Sequence, residues 1–317
     1  MNIACIGNVT YDFTVIGKGF IKENGKFSYS EITINTGGPA CNAAFVINKL
    51  GNPVDFYGQI GNDEFGNYVY NDLYNNGLGI EHLNISGDIM TPFSFIIINT
   101  DKATRTINSV RSPKDLENPI IENFSCKSNY DYILTDGKYL EQSLSLINAN
   151  PNAISIIDAG RVNKGVIKLC EKVDYIICSQ EFAEGITGLF LNQDYNNDSF
   201  VYQKLKERFP NAKGITITVG KHGYICEKDN SVLIVPTFDP RVPSIDTNAA
   251  GDIFHGAFTY ALANNYDYHD ALEFANVTAS LSTTRIGGKD SCPTLNDIKV
   301  CLNNNEFSLA RCKEKKN

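Results

Sequence analysis

Residues 153–179 read Ala153-Ile154-Ser155-Ile156-Ile157-Asp158-Ala159, then GRVNKGVIKLCEK over 160–172, then Val173-Asp174-Tyr175-Ile176-Ile177-Cys178-Ser179. Each flanking run is a short β-branched block, too short for a core helix and nearly free of alternation. That is the pattern of a strand buried on both faces. The middle, around 161–172, has helical spacing. A buried strand, a helix and a second buried strand make a unit that closes only as parallel neighbours with a crossover helix.

The rhythm extends in both directions. Downstream, GITITVG (214–220) follows a helical stretch at 199–209; upstream, YDYILTD (130–136) precedes one at 139–149. Near the N-terminus NIACIG reads as a strand, Ala40 to Leu50 as a helix and PVDFYGQI as a strand. FGNYVYNDLYNN then forms a helix with Phe65, Val69 and Leu73 on one face. The chain is α/β, with a parallel sheet covered on both sides. Two regions break the rhythm with strands and no helix between them: 13–36, with Asn24-Gly25 as a hairpin turn, and 93–110. They form either a small accessory sheet over one edge or two separate surface hairpins.

Composition limits function. The 317 residues are 42% hydrophobic and 20% charged with a net charge of −8, and the pI is near 5.1. This balance argues against nucleic-acid binding, which needs a basic face. The nine cysteines sit singly, without C-x-x-C or metal spacing with the four histidines, as in reduced thiols. No apolar run approaches the ~20 residues of a membrane span, and the first residues lack the features of a signal peptide. A cytoplasmic protein is expected. There is no P-loop, no G-x-G-x-x-G after the first strand and no G-x-S-x-G.

Chemistry concentrates at Ser244-Ile245-Asp246-Thr247-Asn248-Ala249-Ala250-Gly251-Asp252-Ile253-Phe254-His255-Gly256. Phe254, Ala257, Phe258, Ala261 and Leu262 form an inward helical stripe, so Asp252 lies where a helix starts. A plain N-cap explains an aspartate there. So does a site in which the amides of Ala249, Ala250 and Gly251 receive an anion beside a carboxylate base. Thr36-Gly37-Gly38-Pro39-Ala40-Cys41-Asn42 reads equally as a tight turn into a helix, with Pro39 in its first turn, or as a close-approach site with Asn42 one turn in. Thr218 to Gly223 is a turn or the edge of a nucleotide pocket. Thr284 to Pro293 is a loop closing a helix, by a Gly287 cap or around a monovalent cation.

The order and spacing of these segments decide among those alternatives. Gly37-Gly38-Pro39-Ala40-Cys41-Asn42-Ala43-Ala44, followed by Gly58 to Gly66 and by Asp246-Thr247-Asn248-Ala249-Ala250-Gly251-Asp252, resembles the paired signatures of the ribokinase-like (PfkB) carbohydrate kinases. The resemblance covers nearly the whole chain. It implies a single kinase domain over 1–317, a three-layer α/β fold with a mostly parallel central sheet, and a small β-sheet lid built from about 13–36 and 93–110. It implies transfer of the γ-phosphoryl group of ATP to a hydroxymethyl group, with Mg²⁺ and K⁺.

On this resemblance Asp252 is the base and Ala249, Ala250 and Gly251 the anion hole. Asp12, Gly37, Gly38 and Asn42 bind the sugar, with Arg105 reaching from the lid and Asp136 lining the pocket. Thr218, Gly220, Gly223 and Asn276 border the nucleotide. Asp246, Asn248, Ser282, Gly287 and Ser291 form the cation loop, and pairing through the lid gives a homodimer. Two positions depart from the pattern. Ala249 replaces a common glycine, and Ser179-Gln180-Glu181-Phe182 stands where many members carry N-x-x-E, leaving Glu184 as the carboxylate nearby for magnesium. A nucleoside kinase, with Phe13, Phe93 or Phe95 stacking a base, and a non-catalytic sugar sensor are the alternatives.

Overall fold

The computed structural model describes residues 1–18, 23–29, 31–102, 104–117, 119–191 and 197–303. Parts of the two inserted regions (19–22, 30 and 103) and Cys312 lie outside the described residues. The chain opens with β1 (Ile3–Ile6), β2 (Thr10–Gly17), β3 (Glu31–Gly37), α1 (Pro39–Lys49), β4 (Val54–Gly61), α2 (Glu64–Asn75) and β5 (Leu83–Ser86). Next come β6 (Phe93–Asn99), β7 (Thr104–Val110), α3 (Pro113–Glu117), β8 (Tyr132–Thr135), α4 (Leu140–Ala149), β9 (Ile154–Ala159), α5 (Lys164–Cys170), β10 (Tyr175–Ser179) and α6 (Gln180–Thr187). The last part holds α7 (Asp198–Arg208), β11 (Gly214–Thr218), β12 (Tyr224–Lys228), β13 (Ser231–Val235), α8 (Ala250–Ala263), α9 (Tyr268–Ser282) and α10 (Leu295–Asn303).

Nine strands form one sheet in the order β13-β12-β11-β10-β9-β8-β1-β4-β5. The β9–β10 pair is parallel, Ile156 facing Tyr175 and Ile157 facing Ile176, as the strand–helix–strand pattern of 153–179 predicts. Only β12 breaks the parallel run, through antiparallel pairs with β11 and β13. Alternate residues of one strand feed different cores. Ile3 and Cys5 pack with the apolar faces of α1, α8 and α9, whereas Ala4 and Ile6 join Tyr139 and Leu146 on the opposite face. In α8 every residue from Ile253 to Ala263 is buried, so this helix is packed all round rather than on one stripe.

The inserted regions form one sheet of order β3-β2-β6-β7 rather than two hairpins. Its centre is a parallel pair in which Asp12 faces Ser94, flanked by antiparallel β2–β3 and β6–β7. The first inserted strand starts at Thr10, three residues earlier than the sequence pattern indicates, which places Asp12 on the small sheet itself. Strand β5, which pairs parallel with β4, had no counterpart in the sequence reading. Among the described residues no helix is long and apolar enough to cross a membrane.

Candidate active site

Asp252 is the third residue of α8, and the helix is capped at Ala249, with no side chain bonded to its first-turn amides. The carboxylate therefore does not cap its own helix, as a plain N-cap would. It turns to α1 instead, where Asn42 Nδ2 donates to Asp252 Oδ2 at 2.6 Å. The first amides of a helix have no intrahelical partner and sit at the positive end of its dipole. At Gly251 a methyl group would meet nothing within 4 Å, so the first turn of α8 borders open space there, and the Ala250 amide lies 3.4 Å from the Thr247 carbonyl.

Desolvation pushes the Asp252 carboxyl up to about 7; the charge of Asp158 adds to the rise, while Asn42, His255 and Arg105 oppose it. Asp158 ends β9, and burial raises its own pKa. His255, one turn along α8, has both ring nitrogens facing oxygen acceptors. Nδ1 lies 2.6 Å from the Gly251 carbonyl, and Nε2 lies 3.3 Å from the Ile177 carbonyl and 3.4 Å from Asp158 Oδ1. The sequence reading missed Asp158 and His255, although Asp158 sits at the carboxyl end of a parallel strand, where α/β sheets bind ligands.

A narrow cleft opens beside Asn42 between the small sheet, α1 and the loops that flank α8 and α9, lined among others by Asp12, Thr14, Asn35, Asp246, Asn248 and Lys289. Asp12 accepts from Thr10 Oγ1 at 2.7 Å, and burial pushes its carboxyl up to about 6 despite hydrogen bonds from Thr10 and Ser94. Gly37 and Gly38 are glycines for a reason the structure makes explicit. A Cβ on Gly37 would overlap the Asp12 carboxylate, and Gly38 has φ +102° with its Cβ position against the Asn8 carbonyl. From the small sheet Arg105 reaches over, donating to Thr247 Oγ1 at 3.2 Å in the loop before α8.

Asp136 does not line this cavity. Its Oδ2 accepts the Asn8 and Ala40 amides at 2.7 and 3.3 Å and its Oδ1 accepts the Lys138 amide at 3.0 Å, so it braces the first turn of α1. A buried polar network lies beside it: Lys138 and Arg111 share the Asp115 carboxylate and the Asn8 side-chain oxygen. Burial lowers the Lys138 ammonium to about 8, although Asp115 opposes the shift.

Of the residues expected to form a cation loop, Asn248 and Gly287 meet at Asp246. Its two oxygens accept the Asn248 and Gly287 amides at 2.8 and 3.2 Å, joining the loops before α8 and after α9. Asp246 is 3% exposed and makes no ion pair among the described residues. Ser282 and Ser291 hydroxyls are turned to the Ala279 and Gly288 carbonyls at 2.7 and 2.6 Å.

After β11, Gly220 shows open space at its Cβ position, and Thr237 Oγ1 donates to its carbonyl at 3.3 Å. Asn276 donates to the Pro236 carbonyl at 2.9 Å, Thr218 to the Cys178 carbonyl at 3.2 Å, and Gly223 packs against the Val235 carbonyl. Glu184 accepts from Gln180 Nε2 and the Leu191 amide, stapling α6 to the loop after it. Phe182, at the fourth position of the absent N-x-x-E, is fully buried against Phe209.

The model of the pfkB family of carbohydrate kinases matches residues 1–295. The chain belongs to that family. Among its relatives, the ribokinase of Bacillus subtilis is 26% identical over 313 residues, covering 95% of this chain and 99% of the relative. The crystal structure of a putative ribokinase from Agrobacterium tumefaciens superposes with a TM-score of 0.84 at 25% identity, covering 95% of this chain and 97% of that one. A further pfkB-like fold, Arabidopsis thaliana ribokinase complexed with ribose and ATP, superposes at 0.75 with 19% identity, covering 97% and 99%. In this pfkB-family chain the two halves of the signature, Asn42 and Asp252, meet at hydrogen-bond distance across 210 residues of sequence.

Proposed function

We propose that this chain is an ATP-dependent sugar kinase that moves the γ-phosphoryl group to a hydroxymethyl group of a small carbohydrate. The observation that carries the proposal is Asp252. Its carboxylate, raised to about 7, stands between the uncapped start of α8 and the cavity wall formed by Asn42. Asp252 takes the proton of the attacking hydroxyl, and Asn42 holds the carboxylate toward it. The amides at Ala249–Gly251 receive the transferring phosphoryl group, and Arg105 adds positive charge from the small sheet.

The open Cβ positions at Gly251 and Gly220 leave room for a nucleotide, and the Arabidopsis thaliana ribokinase structure is described as complexed with ribose and ATP. No group of three or more His, Cys, Asp or Glu able to hold a metal occurs among the described residues. Magnesium in kinases, however, rests on phosphates, waters and one or two carboxylates. Asp158, at the carboxyl end of β9, would supply one such carboxylate, and the ion would neutralise phosphate charge. K⁺ matches the buried, unpaired Asp246 carboxylate.

A sugar suits the cavity better than a nucleoside. Phe13 stacks on Phe95 within the small sheet, and Phe93 packs with Tyr11 and Phe65; none of the three lines the cavity. The protein is further proposed to work as one kinase domain in the cytoplasm, with the small sheet as a lid. Its exposed edge strand β7 would pair between two copies, which light scattering tests. A coupled assay of ADP release across ketoses, aldoses, sugar phosphates and nucleosides, with and without K⁺, tests the activity. Turnover of a nucleoside but no sugar replaces the acceptor assignment, and sugar binding without turnover makes the protein a sensor.

A further inference from the structure

Two cavity-lining groups have no part in the phosphoryl chemistry described above. Thr36, the residue before the two glycines, is 1% exposed and lines the cavity, yet its Oγ1 is buried with no hydrogen-bond partner among the described residues. An orphaned buried hydroxyl costs about 1–3 kcal/mol. A polar ligand, or a water that the ligand displaces, removes that cost.

Lys289, on the loop after α9, lines the same cavity with its side chain 3% exposed. The ammonium lies 3.3 Å from Asp72 Oδ2 on α2, 3.3 Å from Asp290 Oδ1 and 4.2 Å from the Phe45 ring centre on α1. Burial works against its charge, but Asp72 and Asp290 outweigh burial and raise its pKa. One ammonium thus stands among the carboxylates of Asp12, Asp72 and Asp290, and Asp246 also lines the cavity. The balance is acidic.

Resting on the sugar-kinase reading, we propose that Thr36 and Lys289 form a second recognition subsite for the acceptor. It hydrogen-bonds a hydroxyl remote from the one phosphorylated, and it restricts the enzyme to uncharged polyhydroxylated acceptors. The Thr36 hydroxyl donates to or accepts from that acceptor hydroxyl. A phosphate or carboxylate at this end of the acceptor would meet more carboxylates than the single lysine balances.

The test uses the full-length enzyme, Thr36→Val, which keeps the side-chain shape, and a series of deoxy analogues of the best neutral sugar found in the coupled assay. The expected result is a five- to tenfold rise in KM for Thr36→Val, about the value of one neutral hydrogen bond, with kcat kept. Wild type discriminates against the analogue lacking one particular hydroxyl, and the variant is blind to that loss. Because Val removes the orphan, the ligand-free variant melts no lower than wild type, which separates the effect from misfolding. Lys289→Met is paired with Asp72→Asn so that no buried carboxylate loses its partner, and the double variant is expected to raise KM for the same sugar. An unchanged KM and an unchanged analogue profile in Thr36→Val overturn the subsite alone. Higher kcat/KM for a sugar phosphate or sugar acid than for its neutral parent overturns the charge restriction. A wild-type enzyme that phosphorylates no sugar overturns both this proposal and the function on which it rests.

Discussion

Replacing Asp252 with Asn removes the proposed base while keeping its shape. The Asn42 contact at 2.6 Å is to Asp252 Oδ2, and an Asn side-chain oxygen can still accept it. General-base catalysis contributes about 10²–10⁴-fold, so kcat is expected to fall by that factor while KM for the sugar changes little. The pH profile is the sharper readout. With the carboxyl raised to about 7, only about a tenth is ionised at pH 6, so wild-type kcat/KM falls roughly tenfold per pH unit below neutrality. The variant loses that limb. Stability moves the other way. The folded-state pKa lies above the unfolded value, so the folded protein holds the proton more tightly and loses stability as pH rises from about 4 to 7. Asp252→Asn abolishes that loss and is expected to melt at or above the wild-type temperature at pH 8. Full turnover by the variant, or an unchanged low-pH limb, would refute Asp252 as the base.

Three further substitutions probe its neighbours. Gly251→Ala places a methyl group where no atom lies within 4 Å; helix propensity favours it by about 1 kcal/mol, yet it fills the anion space. We expect a raised melting temperature with at least a hundredfold loss of kcat, and a fully active variant would contradict the anion hole. Ala249 has φ 58°, a left-handed conformation that costs a non-glycine residue about 1–2 kcal/mol. Ala249→Gly should therefore raise stability in denaturant melts by about 1 kcal/mol, and a loss would show the strain to be absent. Gly256→Ala puts a Cβ 2.6 Å from the Ala43 carbonyl and 2.8 Å from Val46 Cβ; it should cost about 1–3 kcal/mol and lower kcat by displacing Asn42, measured by melting and the coupled assay.

The sheet was legible because buried parallel strands write themselves as short apolar blocks with helices between them, from Ile154 to Ala159 and again from Tyr175 to Ser179. The small sheet was half legible: its strands showed in the pattern, but the β2–β6 pair joins residues about 80 apart, which local pattern cannot register. The same limit explains the site. Small residues at 249–251 suggest an anion site in the sequence, because only a short list of residues leaves backbone amides open. What a carboxylate does depends on partners the chain brings from elsewhere. Read locally, Asp252 served equally as a cap or as a base; in the fold it caps nothing and faces Asn42. Asp136 matched a sugar position and instead holds the Asn8, Ala40 and Lys138 amides. Lys289 was passed over inside a polar loop, since nothing near it in sequence shows that α1 and α2 close over its ammonium.

The distance between Asn42 and Asp252 is fixed by packing rather than by the two side chains alone. Asn42 and Asp252 sit on two helices, α1 and α8, and their side chains are short. They meet only because the backbones approach closely one turn further on. Gly256 follows Asp252 by four residues and so lies on the same face of α8; Ala43 follows Asn42 directly. With no Cβ at 256, the Ala43 carbonyl and Val46 press against the α8 backbone. The buried apolar residues of α8 on every side then leave the helix no room to slide or roll. A carboxylate that desolvation makes costly is thus held in place by a crossing of two helices whose other residues are inert. Tuning of the proposed base therefore depends on an Ala43–Gly256 contact that carries no charge, and pKa and rate should change together when that contact is opened.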